Sequence, residues 1–166
     1  MSIDLVKRLG LFVVMCAVQI LILNHIHLFD VATPFLFVYF AISFRRNTPK
    51  WAVLLWCFAM GLAVDVFSNT PGLAAGSLTL VGLIQPYLLE LFTPRDSVED
   101  LECSAVTLGM GKFALLTFIL LFVFCLLFFA LEAFTFFNWI YWLICTGSST
   151  VLTLVLILAI ESIRKK

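Results

Sequence analysis

The ten basic residues of this chain fall at the ends of long apolar runs, and their placement constrains what it can fold into. Lys7 and Arg8 precede the first run, and Arg45, Arg46 and Lys50 follow the second. Arg95 follows the fourth, Lys112 stands at the start of the fifth, and Arg164, Lys165 and Lys166 end the chain. Six membrane crossings with both termini on one side put all ten cations on that side, as the positive-inside rule demands. Asp30, Asp65 and Glu132 then fall toward the opposite face, where acidic residues count for little in setting orientation.

Composition points the same way. The 166 residues are 63% hydrophobic and 12% charged, with a mean hydropathy of +1.15, whereas soluble domains are roughly 45–50% apolar. Six helices of about 20 residues each use most of the chain and leave only short connections, so no folded domain is expected outside the bilayer. The formal charge is zero, which implies neither nucleic-acid binding nor a basic surface. No basic cluster in the sequence is large enough to suggest a dedicated lipid-headgroup site.

The expected architecture is an all-α integral membrane protein, a compact six-helix bundle with both termini inside. It forms a single membrane domain over 1–166, with spans at about 9–23, 26–44, 51–67, 73–92, 108–131 and 139–160. The first span is read as uncleaved, because no small-residue cleavage site follows it and Met15 precedes Cys16. The second is ambiguous: its clean apolar stretch, Pro34 to Phe44, makes only about 16 Å of helix. Either it starts near Ile26 and tolerates Asp30 and Pro34, or it is a half-helix completed by extended chain shielded inside the bundle. Spans three and four are joined by Ser68-Asn69-Thr70-Pro71-Gly72 and form an antiparallel pair. The acidic Asp96 to Glu102 segment reads as a short surface helix, with Ser97 and Asp100 in a capping pattern. Trp139, Tyr141 and Trp142 sit where an outer aromatic belt belongs.

On the fourth span, Gly72, Ala75, Gly76, Thr79, Gly82 and Pro86 share about a third of the circumference. Membrane helices associate through such small residues, since lipid supplies no hydrophobic drive between them. Pro86 removes a backbone bond and should kink the helix. The fifth span, nearly all Phe, Leu, Ile and Val, reads as a lipid-facing helix at the edge. The sixth carries a stripe of Thr146, Ser149, Thr150 and Thr153, read as hydrogen-bonding groups or as the lining of a ligand cavity.

Asp65 lies within the third apolar span, near its outer end, which makes it a functional candidate by default. It can brace the following turn and the start of the fourth span, where the helix dipole favours an anion. It can also contact a partner, or bind an ion or substrate. Gln19, Asn24 and Gln85 can join polar contacts in the bundle. His25 and His27 have no evident third ligand besides Asp30, so no metal is expected. The five cysteines are scattered singly and indicate neither disulfide nor metal site. No nucleophile–base spacing, phosphate loop or His-Glu-x-x-His occurs, so neither enzymatic activity nor a cofactor is expected.

The stretches Gln19 to Asn24, Ala32 to Tyr39, and Phe58 to Asp65 followed by Asn69-Thr70-Pro71-Gly72-Leu73 resemble the rod shape-determining protein MreD family. Gly61-Leu62-Ala63-Val64-Asp65 with Pro71-Gly72 beyond it is the most specific element. The last two spans are similar only in hydrophobicity and length. The resemblance implies a non-enzymatic inner-membrane scaffold of the cell-elongation machinery, controlling cell shape by organising lateral peptidoglycan synthesis. It implies MreC as the principal partner, with RodA, a class B penicillin-binding protein and MreB in the same complex. Thr33, Pro34, Gly61, Asp65, Pro71 and Gly72 carry over as motif positions. A groove near spans three and four is expected to receive a partner's transmembrane helix, with Gly76 and Gly82 both lining it.

A second class fits the size and layout. The substrate-binding membrane subunits of energy-coupling-factor vitamin transporters are also compact six-helix bundles, and a broadly similar shape is expected. Their first helix presents small residues at four-residue spacing to a coupling subunit. Gly10 and Ala17 do not offer that spacing here, which favours the scaffold reading.

Overall fold

The computed structural model describes residues 2–21, 34–93, 103, 105–133 and 139–164. Thr33, His25, His27, Asp30 and the Asp96 to Glu102 segment lie outside them, so the expectations placed on those residues stand untested. The elements are α1 (Ser2–Leu21), α2 (Val38–Ile42), α3 (Lys50–Ser68), α4 (Leu73–Phe92), α5 (Ala105–Leu108), α6 (Met110–Ala133) and α7 (Trp139–Arg164). No strand occurs among the described residues.

Four of the helices, α3, α4, α6 and α7, are long and apolar enough to cross a membrane. This is the architecture of an α-helical, multi-pass membrane protein. α1 falls short of the same standard because Asp4, Lys7 and Arg8 occupy its first turns, leaving about 20 Å of apolar helix from Leu9 to Leu21.

α2 is a short helix held at the centre. From Pro34 to Phe44 every residue is buried except the half-buried Ser43. Val38, Ala41 and Ile42 have no exposure at all. α2 packs against α1, α3, α4 and α6, largely through aromatic rings. Phe35 meets Phe124, Phe128 and Phe129 of α6 at 4.8–6.0 Å between centroids. Phe40 meets Phe12 of α1 at 5.7 Å and Trp56 of α3 at 6.2 Å. Non-helical backbone at this depth is tolerated only where protein shields it from lipid, and the ring of helices supplies that shield. Over the described residues the second apolar run is a short shielded helix with non-helical chain before it; residues 22–33, on which the two readings also turn, lie outside them.

α3 and α4 make the most extensive helix pair, and α6 packs on both α4 and α7. The last point corrects the expectation of a lipid-facing fifth span. Phe113, Leu116, Thr117, Leu120, Leu121, Phe124 and Cys125 of α6 are fully buried, and only the opposite face, with Leu115, Phe118 and Phe122, is exposed. A helix that is apolar all round gives no sign of which side meets protein.

Candidate functional site

The α3–α4 joint is built from the motif residues. α3 ends where Asn69 takes a left-handed conformation at φ 56°, one that Asn tolerates better than most residues. Gly72, at φ 84°, then turns the chain into α4 where a side chain would be strained. Four residues of α3 apart, Gly61 and Asp65 face the first turn of α4. The Oδ1 of Asp65 accepts from the Ala74 N–H at 2.9 Å, and its Oδ2 accepts from the Ala75 N–H at 2.8 Å. The Thr70 hydroxyl donates to Oδ1 at 3.0 Å. Asp65 is 3% exposed, so its charge is compensated by these donors and by the helix dipole. Of the three roles open to Asp65, bracing the turn and the start of α4 is the one the geometry displays.

Gly61 makes that reach possible. A Cβ there would lie 2.7 Å from both the Ala74 carbonyl oxygen and the Ala75 nitrogen. Farther along, a Cβ on Gly82 would come within 2.7 Å of the Cys57 sulfur. Gly82 therefore serves packing inside the molecule, which corrects its place in an outward groove beside Gly76. Gly76 is the contrast, with nothing within 4 Å of an added Cβ. Ala75 is buried under Gly61, whereas Thr79 and Pro86 are half-buried and Pro71 is exposed. The Thr79 hydroxyl turns back to the Ala75 carbonyl at 2.6 Å.

Two glutamines hold the broken central segment. The Gln19 Nε2 donates to the Pro34 carbonyl at 3.0 Å, while its Oε1 accepts from the Leu36 N–H at 3.1 Å. The Phe35 N–H between them donates to the Thr153 hydroxyl at 3.1 Å. At the other end, the Gln85 Nε2 donates to the Ile42 and Phe44 carbonyls at 3.4 and 3.3 Å. These side chains supply the partners that a five-residue helix cannot give its own flanks. On α7, the Thr146, Thr150 and Thr153 hydroxyls bond back to carbonyls four residues earlier. Hydrogen bonding, rather than a cavity lining, is thus the use this stripe displays.

A third cluster was not foreseen. The Tyr39 hydroxyl donates to the Glu161 Oε2 at 2.7 Å and accepts from the Arg164 Nη1 at 3.2 Å. Glu161 has no exposure. Close by, Arg8 donates to the Thr48 hydroxyl at 2.9 Å and stands 4.9 Å above the Phe44 ring. Lys7, Arg8, Arg45 and Arg164 line one cavity of about 500 Å³, together with Tyr39 and Ser43 and the apolar side chains of α1 and α7. Cations from three separate stretches of sequence thus form a cluster at one end of the bundle. This corrects the expectation that the basic residues build no grouping of that size. One signal for Glu161 was available, since it continues the helical stripe of Thr146, Thr150 and Thr153.

Among the described residues no group of three or more His, Cys, Asp or Glu side chains is arranged to hold a metal ion. Comparison with protein-family models, with curated proteins and with solved structures found no match.

Proposed function

We propose that this chain is a non-enzymatic scaffold of the bacterial inner membrane, acting in the cell-elongation complex as the MreD family does. In this reading α1 and the segment around α2 complete six crossings, with both termini in the cytoplasm. MreC is the principal partner, and RodA, a class B penicillin-binding protein and MreB are members of the same assembly. The observation that carries the reading is how the motif residues are used. Gly61, Asp65 and Gly72 fix a close α3–α4 joint, and both carboxylate oxygens of Asp65 are engaged by backbone donors. An acid held in this way serves shape, and a fixed outer shape is what a scaffold offers its partners.

The partner's transmembrane helix is placed along the outward stripe of α4. Gly76 leaves open space there, and Leu80, Leu83 and Tyr87 continue the exposed face. Close packing beside a small residue supplies the affinity. The test is a mild-detergent pull-down of tagged protein from its native cells, comparing wild type with Gly76→Leu. Loss of MreC from the Gly76→Leu eluate, with membrane insertion and thermal stability unchanged, is the expected result. Undiminished MreC recovery would overturn the α4 stripe. Recovery of an ATPase pair and a bound vitamin in place of wall-synthesis proteins would overturn the scaffold reading in favour of a transporter's substrate subunit.

A further inference from the structure

The basic cavity lies at the opposite end of α3 from the α3–α4 joint. α3 begins at Lys50, close in sequence to Arg45, and Asp65 is about 22 Å farther along it. Four cations line the cavity, and no carboxylate does so among the described residues. Two of the four are held in place from within the bundle, Arg8 by Thr48 and the Phe44 ring, and Arg164 by the Tyr39 hydroxyl. Guanidinium groups fixed in this way suit the oxygens of a phosphate. The Tyr39 and Ser43 hydroxyls lie on the same lining. The buried Glu161 carboxylate is engaged by the Tyr39 hydroxyl and does not line the space.

The remaining walls are apolar, with Leu11 and Met15 from α1 and Ile160 and Ile163 from α7. A soluble anion has no use for such walls, whereas an acyl chain does. The cavity also sits where an interface belongs, at the ends of helices whose middles are apolar. Basic pockets between transmembrane helices on the cytoplasmic side are a recurrent way to seat anionic headgroups.

We infer that this cavity between α1 and α7 binds one anionic phospholipid, its phosphate among Lys7, Arg8, Arg45 and Arg164 and its acyl chain against Leu11, Met15, Ile160 and Ile163. The site is independent of which protein partners the bundle has. A bound lipid bridges α1 to α7, so the occupied site ties the two ends of the chain together at this surface.

The test is native mass spectrometry of the full-length chain released from detergent micelles, titrated separately with phosphatidylglycerol, phosphatidylcholine and inorganic phosphate. Preferential retention of one phosphatidylglycerol is expected. Each cation near an anionic headgroup contributes about fivefold in affinity. The double variant Lys7→Gln/Arg45→Gln should therefore weaken phosphatidylglycerol by between about five- and twenty-five-fold, with phosphatidylcholine unchanged. The charge-preserving Lys7→Arg/Arg45→Lys variant should retain the preference, and Leu11→Trp, which fills the cavity without touching charge, should expel the lipid. Thermal unfolding of each variant identifies any that has lost its fold. Equal retention of the two lipids, or a double variant that folds and binds phosphatidylglycerol as before, would overturn the assignment. Inorganic phosphate binding as tightly as phosphatidylglycerol would also overturn it, in favour of a soluble phosphate ligand.

Discussion

The backbone of Ala75 lies against Gly61 so closely that a methyl group on Gly61 would stand 2.7 Å from the Ala75 nitrogen. What it would meet is backbone, which cannot rotate away as a side-chain tip could. Gly61→Ala must therefore push α4 off α3, and the same shift draws the Ala74 and Ala75 amides away from Asp65. Overpacking commonly costs about 1–3 kcal/mol, and the coupled loss of hydrogen bonds puts this change at the upper end. Thermal unfolding in detergent is expected to show a clear drop for Gly61→Ala and almost none for Gly76→Ala, where the added methyl meets nothing within 4 Å. Equal midpoints for the two variants would contradict the close approach.

Asp65 answers to a different substitution series. Asn keeps one acceptor oxygen but turns an amide N–H toward a backbone N–H that needs a partner, and Ala removes both acceptors. Leaving a buried donor unsatisfied costs about 1–3 kcal/mol. Stability should therefore fall in the order Asp, Asn, Ala. Because the anion also faces the positive end of α4, even the Asn variant loses more than one neutral hydrogen bond. The α3–α4 turn should loosen in parallel, read as faster hydrogen exchange at Ala74 and Ala75. Unchanged exchange at those two amides in Asp65→Ala would show that the carboxylate is not their partner.

The joint was legible in the sequence because its parts are local: an acid one turn from the end of an apolar run, a Pro-Gly turn, and a small-residue stripe just beyond. What the sequence did not separate was Gly82, which faces Cys57, from Gly76, which faces outward. They stand at opposite edges of one stripe, about 120° apart at 3.6 residues per turn, and nothing local says which edge meets α3. The buried face of α6 was hidden for a related reason, since Phe and Leu satisfy lipid and protein alike. Tyr39 and Glu161 are 122 residues apart, and no local pattern pairs them. The basic cavity is of the same kind, because its cations come from both ends of the chain and from the segment after α2.

Gln19 and Gln85 do comparable work at opposite ends of the central segment, but not with equal demands. Gln19 must both donate, to the Pro34 carbonyl, and accept, from the Leu36 N–H. Gln85 only donates, and over longer distances. Gln19→Leu strips a buried N–H and a buried carbonyl of their partners at once and should cost about 2–4 kcal/mol, roughly twice the loss for one such group. Gln85→Leu should cost less. Gln19→Glu, which keeps the acceptor and loses the donor, should fall between wild type and Gln19→Leu. Unfolding midpoints in one detergent would rank the three. A Gln85→Leu variant less stable than Gln19→Leu would mean that the weaker-looking clamp is the one holding α2.

Cys103 lies between α4 and α5, is 1% exposed, and has its thiol pushed up to about 12 by burial and by the nearby Glu161 carboxylate. An unperturbed thiol ionises near 8.5. Between those two values the unfolded chain gives up its proton and the folded chain keeps it, so stability falls as pH rises through that window. Below about pH 7 the thiol is protonated in both states and contributes no pH dependence. The reactive species is the thiolate, so maleimide should leave Cys103 unmodified in the folded protein at pH 7. Raising the pH to 9 should leave it nearly as resistant, whereas an exposed thiol of ordinary pKa would speed up about 25-fold as its thiolate fraction rises. Peptide mapping after timed labelling, with and without denaturant, reads this directly. Modification of Cys103 in the folded protein at the rate of a free thiol would show that its side chain does not stay buried in the micelle.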